Sequence, residues 1–457
     1  MTQDEHRDRM ISPETAPYKA ALHGSSALVM QAASTLYANG QTTQRVVLDA
    51  SRLAQARGLD LEMLAQWDCL LCRFRPSGHS EAAWQTTLAK VQPLGVDMNK
   101  VAKATAAIER SLAPDGPGSD QSAKTGAKID TGFNASVPDD PLVAELAAIQ
   151  ALAPSSLLRF SVMCAVGASS LGLIFGVQSV WVLLLIAATA LSGAIVRRWL
   201  AARSGNTLVQ PFSAALIAGV VGGVAHQVTG DPVLQFVALA PCMILVPGAH
   251  LLNASLDMLR ARLGLGLTRM AYSALILLSI CAGLLMGLLL VQAPLAITAV
   301  SARTSLTVDI LAAGLAVSAF GTFFSMPWRL LALPVTVGMV CHAVHWTAMA
   351  WGADVALAAL LACALAGSLC AVACRYLGLP FAAVAFASVV SMMPGVFIFE
   401  LAGGLSQLYR DGGVASAALT SAIYSNGMTA MLVVMAMTFG LIVPKMLLDP
   451  LLDRIRP

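Results

Sequence analysis

The chain changes character near residue 158. Before it, apolar residues recur at the short spacings of a soluble domain; after it, long apolar runs follow one another with brief polar breaks. In the first part, residues 21–39 and 43–57 have helical spacing and are stopped by Gly40 and Gly58. Residues 67–74 and 83–91 read as strands and 98–112 as a third helix, so 22–112 are expected to form a small soluble α/β domain behind a disordered start at 1–21. Residues 113–140 collect Pro, Gly, Ser, Asp and Lys without a period, which is linker composition. Residues 141–152 read as a short helix leading to the apolar region.

Ten apolar segments follow, at about 158–176, 179–196, 212–229, 233–256, 267–290, 306–323, 331–350, 355–376, 380–402 and 414–443. At 1.5 Å of rise per residue, such a segment crosses a hydrocarbon core of roughly 30 Å. A soluble helical core keeps a polar face on its helices, and residues 181–190 and 274–291 have none. The expected fold is therefore an all-α polytopic membrane protein behind the α/β head.

Charge sharpens the division. The chain is 57% hydrophobic and 12% charged, and 31 of its 53 charges precede residue 158. Arg159, Arg197, Arg198, Arg203, Arg260, Arg262, Arg269, Arg329, Arg375, Lys445, Arg454 and Arg456 fall on one set of loops and span ends, against Arg303 and Arg410 on the other. That asymmetry predicts both termini on the cytoplasmic side. A net charge of +3 without a basic block gives no reason to expect nucleic acid. No Gly-rich loop ends in Lys-Ser/Thr, so uphill movement of a solute needs an ion gradient or a partner. Residues 1–20 lack the apolar run of a signal peptide. Seven of nine cysteines lie in apolar segments, and the lone Cys69/Cys72 pair lacks a second ligand pair, which favours packing over metal or redox chemistry.

Pro247-Gly248 interrupts the fourth apolar segment and Pro394-Gly395 the ninth, 147 residues later. A shift of 147 lays the first five segments nearly onto the last five. The domain plan is thus a first five-helix repeat at 141–290, a connector at 291–305, a second repeat at 306–443 and a tail at 444–457. Five spans per repeat is odd, so the second enters the membrane inverted, an architecture found in transporters with interrupted helices. Were the Pro-Gly segments re-entrant loops, Arg260, Arg262 and Arg269 would face outside, against the charge rule.

Proline removes an N–H donor and clashes with the carbonyl four residues earlier, so the carbonyls of Met243 and Val390 are expected to lose their usual donors. Unpaired backbone at membrane depth is tolerated only beside protein or a watery cavity. The helices restarting at Gly248 and Gly395 present N–H groups suited to a carboxylate. His250, Asn253, Asp257 and Arg260 share one face. Asp257 either binds a cation or proton, or pairs with Arg260 or Arg262. Glu400 sits six residues after Pro394, as Asn253 does after Pro247, and a carboxylate at that depth needs a reason. Asn426, with Tyr424 and Ser425, offers polar contacts or interhelical glue. His342 and His345 share a face but make a weak metal site, and read as packing or interface residues. In the head, Asp68, His79 and Glu81 are chemically capable by type alone.

The stretch ILVPGAHLLNASLDMLRARLGLGLTRM (residues 244–270) resembles the signature of the threonine/serine exporter family. PLGVDMNKVA (93–102) is similar to that family's segment before its linker, and SMMPGVFIFELAGGL (391–405) to its companion module, which in some exporters is a separate chain. Pro247, Gly248, Asn253 and Asp257 match the first motif and Pro394 and Gly395 the second; Glu400 departs from the pattern. The resemblance implies a transporter and not an enzyme, exporting small amino acids such as threonine and serine across a bacterial inner membrane, with no cofactor or metal. Its expected partners are the amino acid and membrane lipid, with a homo-oligomer left open. Related split-chain members imply dicarboxylate (succinate) export as the alternative. A sensor or enzyme working through the head is the reading from another class.

Overall fold

The computed structural model of the protein describes residues 15–78, 83–113, 140–293, 304–377, 379–412 and 416–455. Of the described residues, 77% are helical. It divides into two compact units at Ala153/Pro154.

The first unit runs α1 (Thr15–Ala38), α2 (Thr43–Ala56), β1 (Leu59–Ala65), β2 (Cys69–Pro76), β3 (Gln85–Lys90), α3 (Met98–Leu112) and α4 (Pro141–Gln150). The Thr42 hydroxyl accepts from the Arg45 N–H and Asp97 from that of Lys100, so α2 and α3 start where side-chain oxygens satisfy otherwise orphaned donors. The strands form an antiparallel meander in the order β1-β2-β3. Its middle strand turns Leu70, Cys72 and Phe74 inward, against the helices. The sequence reading placed β2 and β3 within two residues and missed β1. Helix α4 packs on α1 and α3, and Gln150 donates to the Thr35 hydroxyl at 2.6 Å.

Cys69 and Cys72 lie three apart on a strand and so on opposite faces, both as free thiols. Burial pushes the Cys72 thiol up to about 12, which makes it inert. Asp68 is exposed in the β1–β2 turn, whereas His79 and Glu81 lie outside the described residues.

The second unit contains α5 (Leu157–Ile174), α6 (Val180–Ala201), α7 (Val209–Thr229), α8 (Phe236–Met243), α9 (Gly248–Leu259) and α10 (Leu263–Leu290). It continues with α11 (Leu306–Phe323), α12 (Trp328–Ala350), α13 (Val355–Leu377), α14 (Phe381–Val389), α15 (Gly395–Arg410) and α16 (Ala417–Ile455). Eight of these helices are long and apolar enough to cross a membrane, and ten spans result if the bent pairs α8/α9 and α14/α15 each count as one. The protein is a multi-pass membrane protein. Helix α16 continues through most of the stretch that the sequence reading reserved for a tail.

Packing in the two halves corresponds pair by pair. Helix α5 meets α6 and α8 as α11 meets α12 and α14; α7 meets α10 as α13 meets α16. Small residues allow the closest of these approaches. A Cβ on Gly219, Gly283 or Gly287 would collide with backbone across the α7–α10 contact, and one on Gly367 would reach the Leu441 carbonyl at 2.6 Å across α13–α16. Between the halves, α5 and α11 run antiparallel. Arg159 near the start of α5 donates to the carbonyl of Met326, just past the end of α11, at 2.6 Å, while the Thr304 hydroxyl ahead of α11 donates to Leu173 near the end of α5 at 2.7 Å.

Candidate functional site

The helix pairs on either side of Pro247 and Pro394 bend by 55° and 60°. The chain handles both breaks alike. Pro247 (φ −82°, ψ 55°) and Pro394 (φ −77°, ψ 39°) each sit at the centre of a three-residue turn of the inverse γ kind. These turns are closed by the Gly248 N–H donating to Val246 at 2.9 Å and the Gly395 N–H donating to Met393 at 2.8 Å. Met243 and Val390 lack their usual donors, the prolines four residues on, and the turn tightens to refill them: Val246 donates to Met243 at 3.4 Å and Met393 to Val390 at 3.1 Å. The opened acceptors lie one step later. Among the described residues no backbone N–H donates to the carbonyls of Ile244 and Leu245. The donors after the first break are also partly spent, since His250 and Leu251 both donate to the Pro247 carbonyl.

The two breaks meet. A Cβ on Gly248 would fall within the ring of Phe386, which belongs to α14, and one on Gly395 would come within 2.9 Å of Met243 Cγ at the end of α8. Each break is therefore covered by a side chain from the other half.

Around them, Asn253 and Glu400 are buried at 4% and 5% exposure, at matching positions of α9 and α15. His250 sets its ring edge-on against Tyr272 at 5.6 Å, and the Tyr272 hydroxyl shares a hydrogen bond with that of Thr207. Asn426 is buried on α16 beside Gly427, where a Cβ would touch Leu401 of α15. Its neighbour Tyr424 is 69% exposed, which turns it away from α15 and the polar contacts considered for it.

The Asp257 carboxylate meets Arg269 Nη1 of α10 at 2.9 Å and Arg262 Nη1 at 3.5 Å. Arg269, counted from sequence among the loop cations, is thus a buried residue of a membrane-length helix. The Asp257 carbonyl also accepts from the Arg260 and Arg262 N–H groups, which ends α9 and turns the chain into α10.

Sequence reasoning passed over a second buried pair. Asp309 in the first turn of α11 lies 2.8 Å from His342 Nδ1 on α12, both buried, and the His345 ring centroid is 5.9 Å from that of His342. His342 Nε2 is buried and has no hydrogen-bond partner among the described residues. The signal was present, a carboxylate and two histidines in apolar segments, but Asp309 stood too near a segment end to draw notice. Among the described residues no group of three His, Cys, Asp or Glu is arranged to hold a metal ion.

A profile described as a threonine/serine exporter matches residues 135–291, and a second threonine/serine exporter profile matches 309–447. Together they span about two thirds of the chain, one match before and one after residues 292–308. No curated protein and no solved structure matches the chain. Profiles, apolar helices and paired breaks agree: the chain belongs to the threonine/serine exporter family and carries both of its modules.

Proposed function

We propose that the protein exports small amino acids of the threonine/serine kind from a bacterial cytoplasm across the inner membrane, by alternating access driven by proton entry. The observation that carries this reading is the mutual cover of the two breaks, Gly248 by Phe386 and Gly395 by Met243. Two interrupted helices joined in this way give a substrate path that can be shut from either end by small shifts of one half against the other. The matched packing of the halves and the antiparallel α5–α11 contact support an inverted pair of repeats. Asn253 and Glu400, at equivalent depth in the two halves, supply polar contacts along the path. The distribution of arginines supports cytoplasmic termini.

Asp257 is occupied by Arg269 and serves to hold α9 on α10. The proton goes instead to the Asp309–His342 pair. With Nδ1–H directed at the Asp309 carboxylate, Nε2 is a buried acceptor able to take a proton, and His345 lies next to it. The 147-residue frame sets Val162 and Ile195 opposite Asp309 and His342, and both are exposed apolar residues. Only one half carries the pair.

The test is flux in proteoliposomes of the full chain loaded with labelled L-threonine. An imposed pH gradient, acid on the side opposite the threonine, is expected to drive efflux, with serine competing and succinate not. Efflux indifferent to the pH gradient removes proton coupling; flux of succinate in preference to threonine moves the protein to the dicarboxylate reading.

A further inference from the structure

Beside the first break, one cation has buried donors with no acceptor among the described residues. Arg197 lies near the end of α6, with its Nε and Nη1 atoms buried and without hydrogen-bond partners among the described residues. Its guanidinium sits over the rings of Phe323 at 4.7 Å and Phe160 at 5.6 Å, which hold it in place but leave its N–H groups unused. The neighbouring arginines differ: Arg159 donates to the Met326 carbonyl at 2.6 Å and Arg198 to that of Ser155 at 2.8 Å. A buried guanidinium with idle donors is costly, and an anionic acceptor relieves the cost.

Arg197 lines a small pocket together with Cys164, Thr189, Pro241, Ile244 and Leu245; its free volume of about 10 Å³ admits a water in this state, so a larger occupant requires the walls to part. Ile244 and Leu245 are the residues whose carbonyls the first break leaves without a backbone donor. The Thr189 hydroxyl donates to Leu185 at 2.7 Å, so its oxygen keeps lone pairs for a further donor. The remaining wall is small: Ala190, Gly193, Ala194 and Ala214. One set of idle donors and one set of idle acceptors thus belong to residues of a single small chamber.

We infer that this cavity is an amino-acid site in which Arg197 holds the substrate carboxylate, while the carbonyls of Ile244 and Leu245 and the Thr189 oxygen receive its ammonium group. The inference rests on the exporter reading and deepens it. A zwitterion satisfies both sets at once. A dicarboxylate brings a second anion to carbonyl oxygens, and a phosphate or lipid headgroup brings an anion without the ammonium. The break then has a chemical purpose besides bending: it strips two carbonyls of their donors beside a fixed cation.

The experiment is equilibrium binding of labelled L-threonine to the purified full chain, comparing the parent with Arg197→Gln and Arg197→Lys. Threonine amide (no carboxylate), 2,3-dihydroxybutyrate (no ammonium), succinate and inorganic phosphate serve as competitors. The expected result is that Arg197→Gln weakens threonine binding by about tenfold or more while Arg197→Lys retains part of it. Threonine amide and dihydroxybutyrate should bind the parent weakly, and the amide should be indifferent to Arg197→Gln. Unchanged threonine affinity in Arg197→Gln, or equal losses for threonine and its amide, overturns the assignment; in the second case Arg197 acts only through its packing on the two rings. Succinate or phosphate competing better than threonine overturns it as well. As a measurement that does not depend on the folding of an Arg197 variant, alkylation of Thr189→Cys, followed by peptide mass, should be slowed by threonine; no protection counts against the site. If the parent exports threonine and Arg197→Gln exports it equally, the site falls and the exporter stands; if the parent neither binds nor moves amino acids, both fall.

Discussion

Asp257 and Arg269 meet at 2.9 Å with side chains only 4% and 2% exposed, joining α9 to α10 directly after the first break. A buried pair broken on one side leaves an uncompensated charge, at a cost of about 3–5 kcal/mol, whereas removing both charges is often close to neutral. Asp257→Asn and Arg269→Gln are each expected to lower the yield and melting temperature of the purified protein, and the double variant to recover most of the loss. A double variant no better than the worse single one removes the pair's role as an anchor.

The two glycines at the breaks should not respond alike. Gly248→Ala places a methyl in the rigid Phe386 ring, and overpacking of this kind costs about 1–3 kcal/mol. Gly395→Ala meets the flexible Met243 side chain, which can move aside. Threonine efflux is therefore expected to fall severely in Gly248→Ala and mildly in Gly395→Ala, with Phe386→Leu restoring part of the first. Equal effects at both positions contradict the packing described above.

Asp309→Asn should separate driving force from passage. Without the carboxylate to orient it, His342 no longer takes and releases its proton in step with transport. Exchange of labelled for unlabelled threonine across the bilayer is expected to continue, while efflux driven by a pH gradient drops by about tenfold or more. Loss of both activities together points to a structural role for the pair.

The head carries an acid-sensitive contact of its own. Burial favours the neutral form of Glu109, but its hydrogen bonds and charge contacts with Arg52 and the charge of Arg45 outweigh that and hold the carboxyl below the ordinary glutamate value. A folded-state value below the unfolded one adds stability above the unfolded value, and that stability is lost as pH falls through the folded one. Glu109 is 42% exposed, so solvent screening keeps the contribution small, on the order of 1 kcal/mol. Protection factors of α2 and α3 amides in the full chain, with the intrinsic pH dependence of exchange divided out, should fall on acidification, and less so in Glu109→Gln. The same acid dependence in both proteins assigns the effect elsewhere.

Much of this was legible in the residues. Uninterrupted apolar runs such as that of α10 need lipid whatever their neighbours, and a Pro-Gly pair at mid-run favours a break, where Pro334 and Pro444 alone leave α12 and α16 continuous. Both statements are local. The partners were not legible, because they are set by tertiary contact: Arg269 looked like a loop cation until α9 folded back beside it, and Arg197 like another until α6 brought it to the break. The replacement donors at the prolines were not legible for a related reason, since a chain can tighten by one residue and refill its carbonyls. Strand β1 was legible too, since Leu59, Leu61 and Met63 alternate with Asp60 and Glu62, and the reading passed over it.

Because Met243 closes the kink of one module and Phe386 that of the other, neither module finishes its own elbow. Covalent fusion of the two guarantees equal numbers and an ever-present mate, a condition that carriers built from separate polypeptides have to meet through assembly. A lone module, even if inserted and folded, would leave its elbow facing lipid or water.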